Sequence, residues 1–169
     1  MTGEPEILFS EAEIAKQIAG LAKEIMPLKP EIVVPILSGA FVFAADLMRA
    51  LAREGLSLPM EFLWLRSYEA KNAGEISVIA ASSERVRGKK VLLLDGVLDR
   101  GNTIVKARSL LKEAGATSIV TAVAVDKLRA DALAHADFAM FQGVTEFIVG
   151  YGMDDAGNNR GLPYIGCVT

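Results

Sequence analysis

The chain has 169 residues, 51% of them hydrophobic, with 18 Lys and Arg against 21 Asp and Glu. That length suits one α/β domain with a sizeable core. The net charge of −3 leaves no electrostatic footprint for nucleic acid or an anionic membrane, and a lone cysteine, Cys167, excludes an intramolecular disulfide and a Cys-based zinc cluster. No apolar run is long enough to cross a bilayer and no N-terminal apolar segment precedes a cleavage site, so a reducing, cytoplasmic setting is expected.

Ser10 and Glu13 predict a capping box before an amphipathic helix over 11–26. Its apolar face would use Ile14, Ile18, Leu21, Ala22 and Ile25, and Pro27 and Pro30 end it. Ile32 to Leu37 reads as a buried strand. Pro35 loses a ladder bond there and is expected near the strand end. Ser38-Gly39-Ala40 follows at once, then a helix from Phe41 to Arg53. Met60 to Arg66 predicts a strand with Phe62 and Trp64 on one face, and Trp64 is assigned to the core. Ser67 to Gly74 is polar and turn-rich, and strand character returns over Glu75 to Ala80.

Residues 89–115 are the organising stretch. Val91 to Leu94 suits a strand buried on both faces of a parallel sheet. Asp95 to Gly101 is predicted to break it with acid and glycine. From Asn102 the apolar residues Ile104, Val105, Leu110 and Leu111 recur at helical spacing, until Gly115 stops the helix. A loop feeding a helix N-terminus offers free amides to an anion. Asp95 and Asp99 stand beside that anion site, which implies a divalent metal, a sugar hydroxyl or a base role. Ser118 to Val125 is a further strand, with Lys127 beyond its carboxyl end, where open parallel sheets bind ligands. Phe138 to Phe141 and Phe147 to Val149 are short apolar runs, and Tyr164 to Val168 would be a last strand. His135 has no partner motif and is assigned no chemistry. Gly150-x-Gly152 is weak as a cofactor motif, since no third glycine and no helix come after it.

The order Leu93-Leu94-Asp95-Gly96-Val97-Leu98-Asp99-Arg100-Gly101-Asn102-Thr103 resembles the phosphoribosyl pyrophosphate signature of type I phosphoribosyltransferases. Gly96 departs from it by replacing a second acid, and Arg100 by replacing Thr or Ser. Pro35 to Leu47 is similar to the pyrophosphate loop of hypoxanthine-guanine phosphoribosyltransferases. That family has a cis peptide before a lysine in this loop, and here Ser38 takes the lysine's place. Ser67-Tyr68 matches the family's lid pair. Phe147 to Asp155 resembles its purine pocket and the segment just beyond it. The resemblance spans roughly residues 7–168.

The resemblance implies a type I phosphoribosyltransferase fold: an α/β domain over 1–169 with a central, mostly parallel sheet flanked by helices. A small hood would come from roughly 1–10 and 140–169. It implies purine salvage, in which the phosphoribosyl group passes to hypoxanthine or guanine and pyrophosphate leaves. Asp99 would be the catalytic base. Leu37, Ser38 and Gly39 would meet pyrophosphate together with the amide of Ala40, and Arg160 would reach it too. Arg100, Gly101, Asn102 and Thr103 would grip the 5-phosphate. Lys127 would choose 6-oxopurines, Phe147 would stack on the base, and Ile148 would meet it through its backbone. Ser67 and Tyr68 would close over the reacting centre. Asp95 and Asp154 would serve the ribose or Mg2+. A homodimer or homotetramer is expected, without nucleic acid or membrane. Gly96 and Ser38 keep open a non-catalytic nucleotide-sensing or regulatory protein on the same fold.

Overall fold

The computed structural model describes residues 4–67, 76–80 and 84–168, apart from the side chains at 67, 79 and 80. The chain runs β1 (Glu6–Phe9), α1 (Glu11–Ile25), β2 (Ile32–Leu37), α2 (Phe41–Arg53), β3 (Leu63–Ser67) and β4 (Ile76–Ala80). It continues through β5 (Lys90–Leu98), α3 (Asn102–Glu113), β6 (Ser118–Asp126), β7 (Phe138–Gln142), β8 (Ile148–Val149) and β9 (Ile165–Cys167). The main sheet has six strands in the order β4-β3-β2-β5-β6-β7. All its pairings are parallel except that of β4 with β3.

Strand alternation divides the core. Val33 of β2 and Leu92 and Leu94 of β5 face a cluster built with α1 and α2. Ile32, Val34, Val91 and Leu93 face the other way, against Ile104, Ala107 and Leu111 of α3. Both faces of β2 and β5 are therefore covered, as their continuous apolar sequences require. The Ser10–Glu13 capping box opens α1 as predicted, and α2 spans the predicted range. Pro35 is tolerated in this central strand because pairing on the β3 side is interrupted around it. That side pairs at Val33↔Met60 and resumes at Ile36↔Leu63.

Two expectations are corrected. The strand of the organising stretch does not end at Leu94: β5 runs on through Asp95 and Gly96 to Leu98, so the loop begins only at Asp99. The ladder to β6 continues at Asp95↔Val123, Val97↔Val125 and Leu98↔Asp126, and that pairing outweighs the turn preference of Asp-Gly. Trp64 is 41% exposed rather than in the core, because Leu63 and Leu65 take the inward positions of β3.

A second, three-stranded antiparallel sheet, β1-β9-β8, joins the two ends of the chain. It is fastened to the main body by Phe9 stacked on Phe141, with ring centroids 3.8 Å apart, and by a bond from Tyr151 Oη to Asp46 Oδ2 at 2.8 Å. Among the described residues no helix is long and apolar enough to cross a membrane.

Candidate active site

The parallel strands β2, β3, β5 and β6 end at the same edge of the sheet. The loops there surround a cleft of about 610 Å³. At the end of β2, Leu37 and the following Ser38 and Gly39 line one side of the cleft, and the Leu37–Ser38 peptide is cis. The Ala40 amide donates to the Ile36 carbonyl at 3.2 Å, which removes it from the expected anion-binding set.

Next along the edge is β5 and the turn into α3. Asp95, Gly96, Val97, Asp99 and Thr103 line the cleft there. Gly101 caps α3 with φ at 84°, and a Cβ at that position would meet the Ala134 nitrogen at 2.9 Å. Glycine is thus required twice over, by the left-handed backbone and by the close approach. No side chain caps α3. The first-turn amides of Asn102 and Thr103 accordingly have no acceptor within the helix and suit an anion.

Asp95 lies deep in this wall. Burial pushes its carboxyl group up to about 7, and a bond from the Gly96 amide at 2.8 Å offsets only part of that shift. Asp99 is half exposed. Its Oδ1 is 3.2 Å from Arg129 Nε, and its Oδ2 is 3.9 Å from Lys127 Nζ. Asp131 grips Arg129 with both oxygens, at 2.8 and 3.0 Å, and this fork fixes the guanidinium beside Asp99. Lys127 Nζ also donates to the Glu146 carbonyl at 2.9 Å. The ammonium is therefore held at the cleft instead of waving in solvent.

The far wall comes from the segment after β7. Phe147 lines the cleft with 52% of its surface exposed, whereas the neighbouring Ile148 is buried. Asp154 pairs with Arg160 at 2.6 Å, and Arg160 also bonds the Gly152 carbonyl.

The cleft thus gathers Leu37, Ser38, Gly39, Asp95, Asp99, Thr103, Lys127, Phe147, Ile148, Asp154 and Arg160 from the sequence-predicted set. Arg100 and Gly101 belong to the turn and Asn102 opens α3, but none of the three lines the cleft, and the Arg100 side chain turns outward to Asp131 at 3.6 Å. Ser67 ends β3, with its side chain outside the described atoms, and Tyr68 lies outside the described residues. Sequence reasoning missed Trp64 and Arg66, which line the cleft from β3, and Met153. The signal for the first two was strand parity: Phe62, Trp64 and Arg66 share the face opposite buried Leu63 and Leu65.

Gly96 takes on a second meaning. A Cβ there would sit 2.9 Å from the Gly39 carbonyl oxygen, and one on Gly152 would sit 2.7 Å from the same atom. The Gly39 carbonyl is seated in a notch between two glycines.

An uncapped helix N-terminus, an acid in the turn before it, an aromatic and a lysine thus meet in one cleft at the carboxyl edge of the main sheet, the arrangement expected of a phosphoribosyltransferase. Residues 6–156 match the model of the phosphoribosyl transferase domain. The hypoxanthine phosphoribosyltransferase of Escherichia coli strain K12 is 33% identical over 171 residues, covering 96% of this chain and 94% of that protein. The hypoxanthine-guanine phosphoribosyltransferase of Aquifex aeolicus is 35% identical over 167 residues, covering 95% of this chain and 92% of that protein. A solved structure of the Trypanosoma cruzi hypoxanthine phosphoribosyltransferase in complex with the product IMP superposes with a TM-score of 0.87 at 27% identity, covering 97% of this chain and 94% of that one. The chain belongs to the phosphoribosyl transferase domain family, among its hypoxanthine and hypoxanthine-guanine phosphoribosyltransferases.

Proposed function

We infer that the protein is a purine-salvage transferase moving the 5-phosphoribosyl group from phosphoribosyl pyrophosphate to hypoxanthine or guanine. The carrying observation is that Asp99, Lys127, Phe147 and Thr103, from separate elements, line one cleft at the carboxyl edge of the sheet. Amides heading α3 and the Thr103 hydroxyl hold the 5-phosphate, with charge-assisted bonds worth roughly 1.5–3 kcal/mol each. Phe147 stacks on the purine. Lys127 donates to a 6-oxo group, where a 6-amino group would leave the ammonium facing a donor. Asp99 takes the proton of the attacking ring nitrogen while the sugar carbon becomes oxocarbenium-like and pyrophosphate departs. None of these relatives is named as a regulatory protein, and the non-catalytic reading gains no support from them.

Magnesium fits the cleft as a passenger on the substrate. Among the described residues no group of three or more His, Cys, Asp or Glu side chains could cage a metal. Magnesium is commonly held by one or two carboxylates plus substrate phosphates, and Asp95, with Asp154 if released from Arg160, offers that set. When bound, the ion neutralises charge on the leaving pyrophosphate. Assembly as a homodimer or homotetramer and a cytoplasmic setting complete the reading.

The test is a turnover assay with phosphoribosyl pyrophosphate, magnesium and each of hypoxanthine, guanine, xanthine and adenine. Product is expected with hypoxanthine or guanine and not with adenine; product with none of the four sinks the reading. Asp99→Ala is expected to cut turnover about 10²–10⁴-fold while phosphate binding persists, and equal turnover by variant and wild type rules out the base role.

A further inference from the structure

Among the described residues, three cationic side chains line the cleft: Arg66, Lys127 and Arg160. Two are already engaged. Lys127 bonds the Glu146 carbonyl and faces Asp99, and Arg160 pairs with Asp154 and bonds the Gly152 carbonyl. Arg66 is exposed and forms no ion pair among the described residues. A guanidinium left unpaired in a cleft is available to an anionic ligand, and its fork of donors matches phosphate oxygens.

Its position along the sheet edge says which anion. The strands follow the order β3-β2-β5-β6. Lys127 follows β6, at the purine end of the cleft. The acid wall and the head of α3 follow β5, where the ribose and 5-phosphate would sit. Leu37 pairs with Trp64 in parallel register. Arg66 therefore leaves β3 two residues beyond that pair, in the same direction as the turn at Ser38 and Gly39. A base attacking the sugar carbon from one side expels the leaving group from the other. The leaving group then lies at the β2–β3 end, where residue 38 is a serine and contributes no charge.

We propose that Arg66 is a pyrophosphate-binding cation of this cleft in addition to Arg160, reaching in from β3 to the leaving group of the sugar donor. This inference rests on the phosphoribosyl-transfer reading. The assignment makes Arg66 a specificity residue for a diphosphorylated sugar. It also accounts for a pyrophosphate loop that carries no charged side chain at position 38.

The experiment compares Arg66→Met and Arg66→Lys with wild type. Arg66→Met is expected to raise the KM for phosphoribosyl pyrophosphate about tenfold or more and to weaken product inhibition by pyrophosphate in parallel, while the KM for the purine stays within about twofold. Arg66→Lys is expected to recover most of both effects. The thermal midpoint should not move, because the side chain is exposed. An unchanged donor KM and unchanged pyrophosphate inhibition in Arg66→Met overturn the assignment, as does an equal rise in the purine KM. If wild type turns over none of the purines, the transfer reading has failed, and Arg66 is then judged alone by calorimetric titration with magnesium pyrophosphate. Binding by wild type that is lost in Arg66→Met upholds it. Equal binding by both, or none by wild type, overturns it.

Discussion

Asp95 joins stability to function at a single residue. Its carboxyl group is held at about 7 by burial, against an ordinary value of 3.8. Between about pH 4 and 7 the folded chain keeps a proton that the unfolded chain has shed. Stability contributed by this group is therefore greatest at low pH and declines as pH rises through that window. Asp95→Asn is expected to flatten the stability curve between pH 4 and 7 and to leave the variant more stable than wild type at pH 8. Urea unfolding at pH 5 and pH 8 reads this, and matching pH dependence in the two proteins would show that the carboxyl is not desolvated. On the role proposed for Asp95 the same substitution should also slow turnover, because Asn lacks the charge through which a carboxylate acts on a metal or a sugar hydroxyl. At this scale the sequence was informative where residue types occurred in a recognisable order, as with Asp95, Asp99, Thr103, Lys127 and Phe147. Arg66 had no such order around it. A single Arg at a strand end has no spacing to betray it, and only the strand register places it in the cleft.

At the scale of elements, the strand–helix units were legible from periodicity and the extent of β5 was not. Asp95-Gly96 has the local chemistry of a turn, but Val97 and Leu98 continue an alternation whose partner lies on β6, more than 20 residues away in the chain. Pairing across that distance is not written in a local window. The consequence falls on Gly96. As a loop residue it would be merely a missing acid, whereas as a strand residue it is the close neighbour of the turn after β2. Any side chain here must push the Gly39 carbonyl, since 2.9 Å is too short for a Cβ. Gly96→Ala is expected to destabilise the protein by about 1–3 kcal/mol. That corresponds to a drop in Tm of about 2–4 °C per kcal/mol for a domain of this size. It should also raise the KM for phosphoribosyl pyrophosphate, because the displaced turn belongs to the cleft. Gly96→Asp, which restores the acid pair, should lose stability in the same way and gain no turnover. A faster, equally stable Gly96→Asp variant would mean that the notch around Gly39 is incidental.

For the whole molecule the question is how a small sheet made from the two ends of the chain keeps its register on a larger one. Tyr151 and Asp46 are 105 residues apart in sequence, and neither carried any signal of the other. Tyr151 is only 3% exposed, and its hydroxyl donates to Asp46, which also pairs with Arg49 on α2. Burial raises the phenol's pKa above its ordinary value, with the Asp46 carboxylate adding to the effect, so the hydroxyl stays a donor at neutral pH. Gly152, Met153 and Asp154 come directly after it, and the latter two line the cleft. The bond therefore fastens the segment after β8 to α2 beside the cleft. Removing only the hydroxyl, as Tyr151→Phe, keeps the ring and its burial while leaving one Asp46 oxygen without this donor. A loss of about 1–2 kcal/mol is expected, typical of a hydrogen bond to a charged acceptor with some solvent access. In a domain of this size that lowers Tm by roughly 2–8 °C. If the small sheet is positioned through this bond, the KM for the purine should also rise, because Phe147 approaches the cleft from the same segment, whereas the KM for phosphoribosyl pyrophosphate should not change. A stability loss with both KM values unchanged would show that the small sheet is held by apolar packing such as Phe9 on Phe141, with the Tyr151 bond adding only stability.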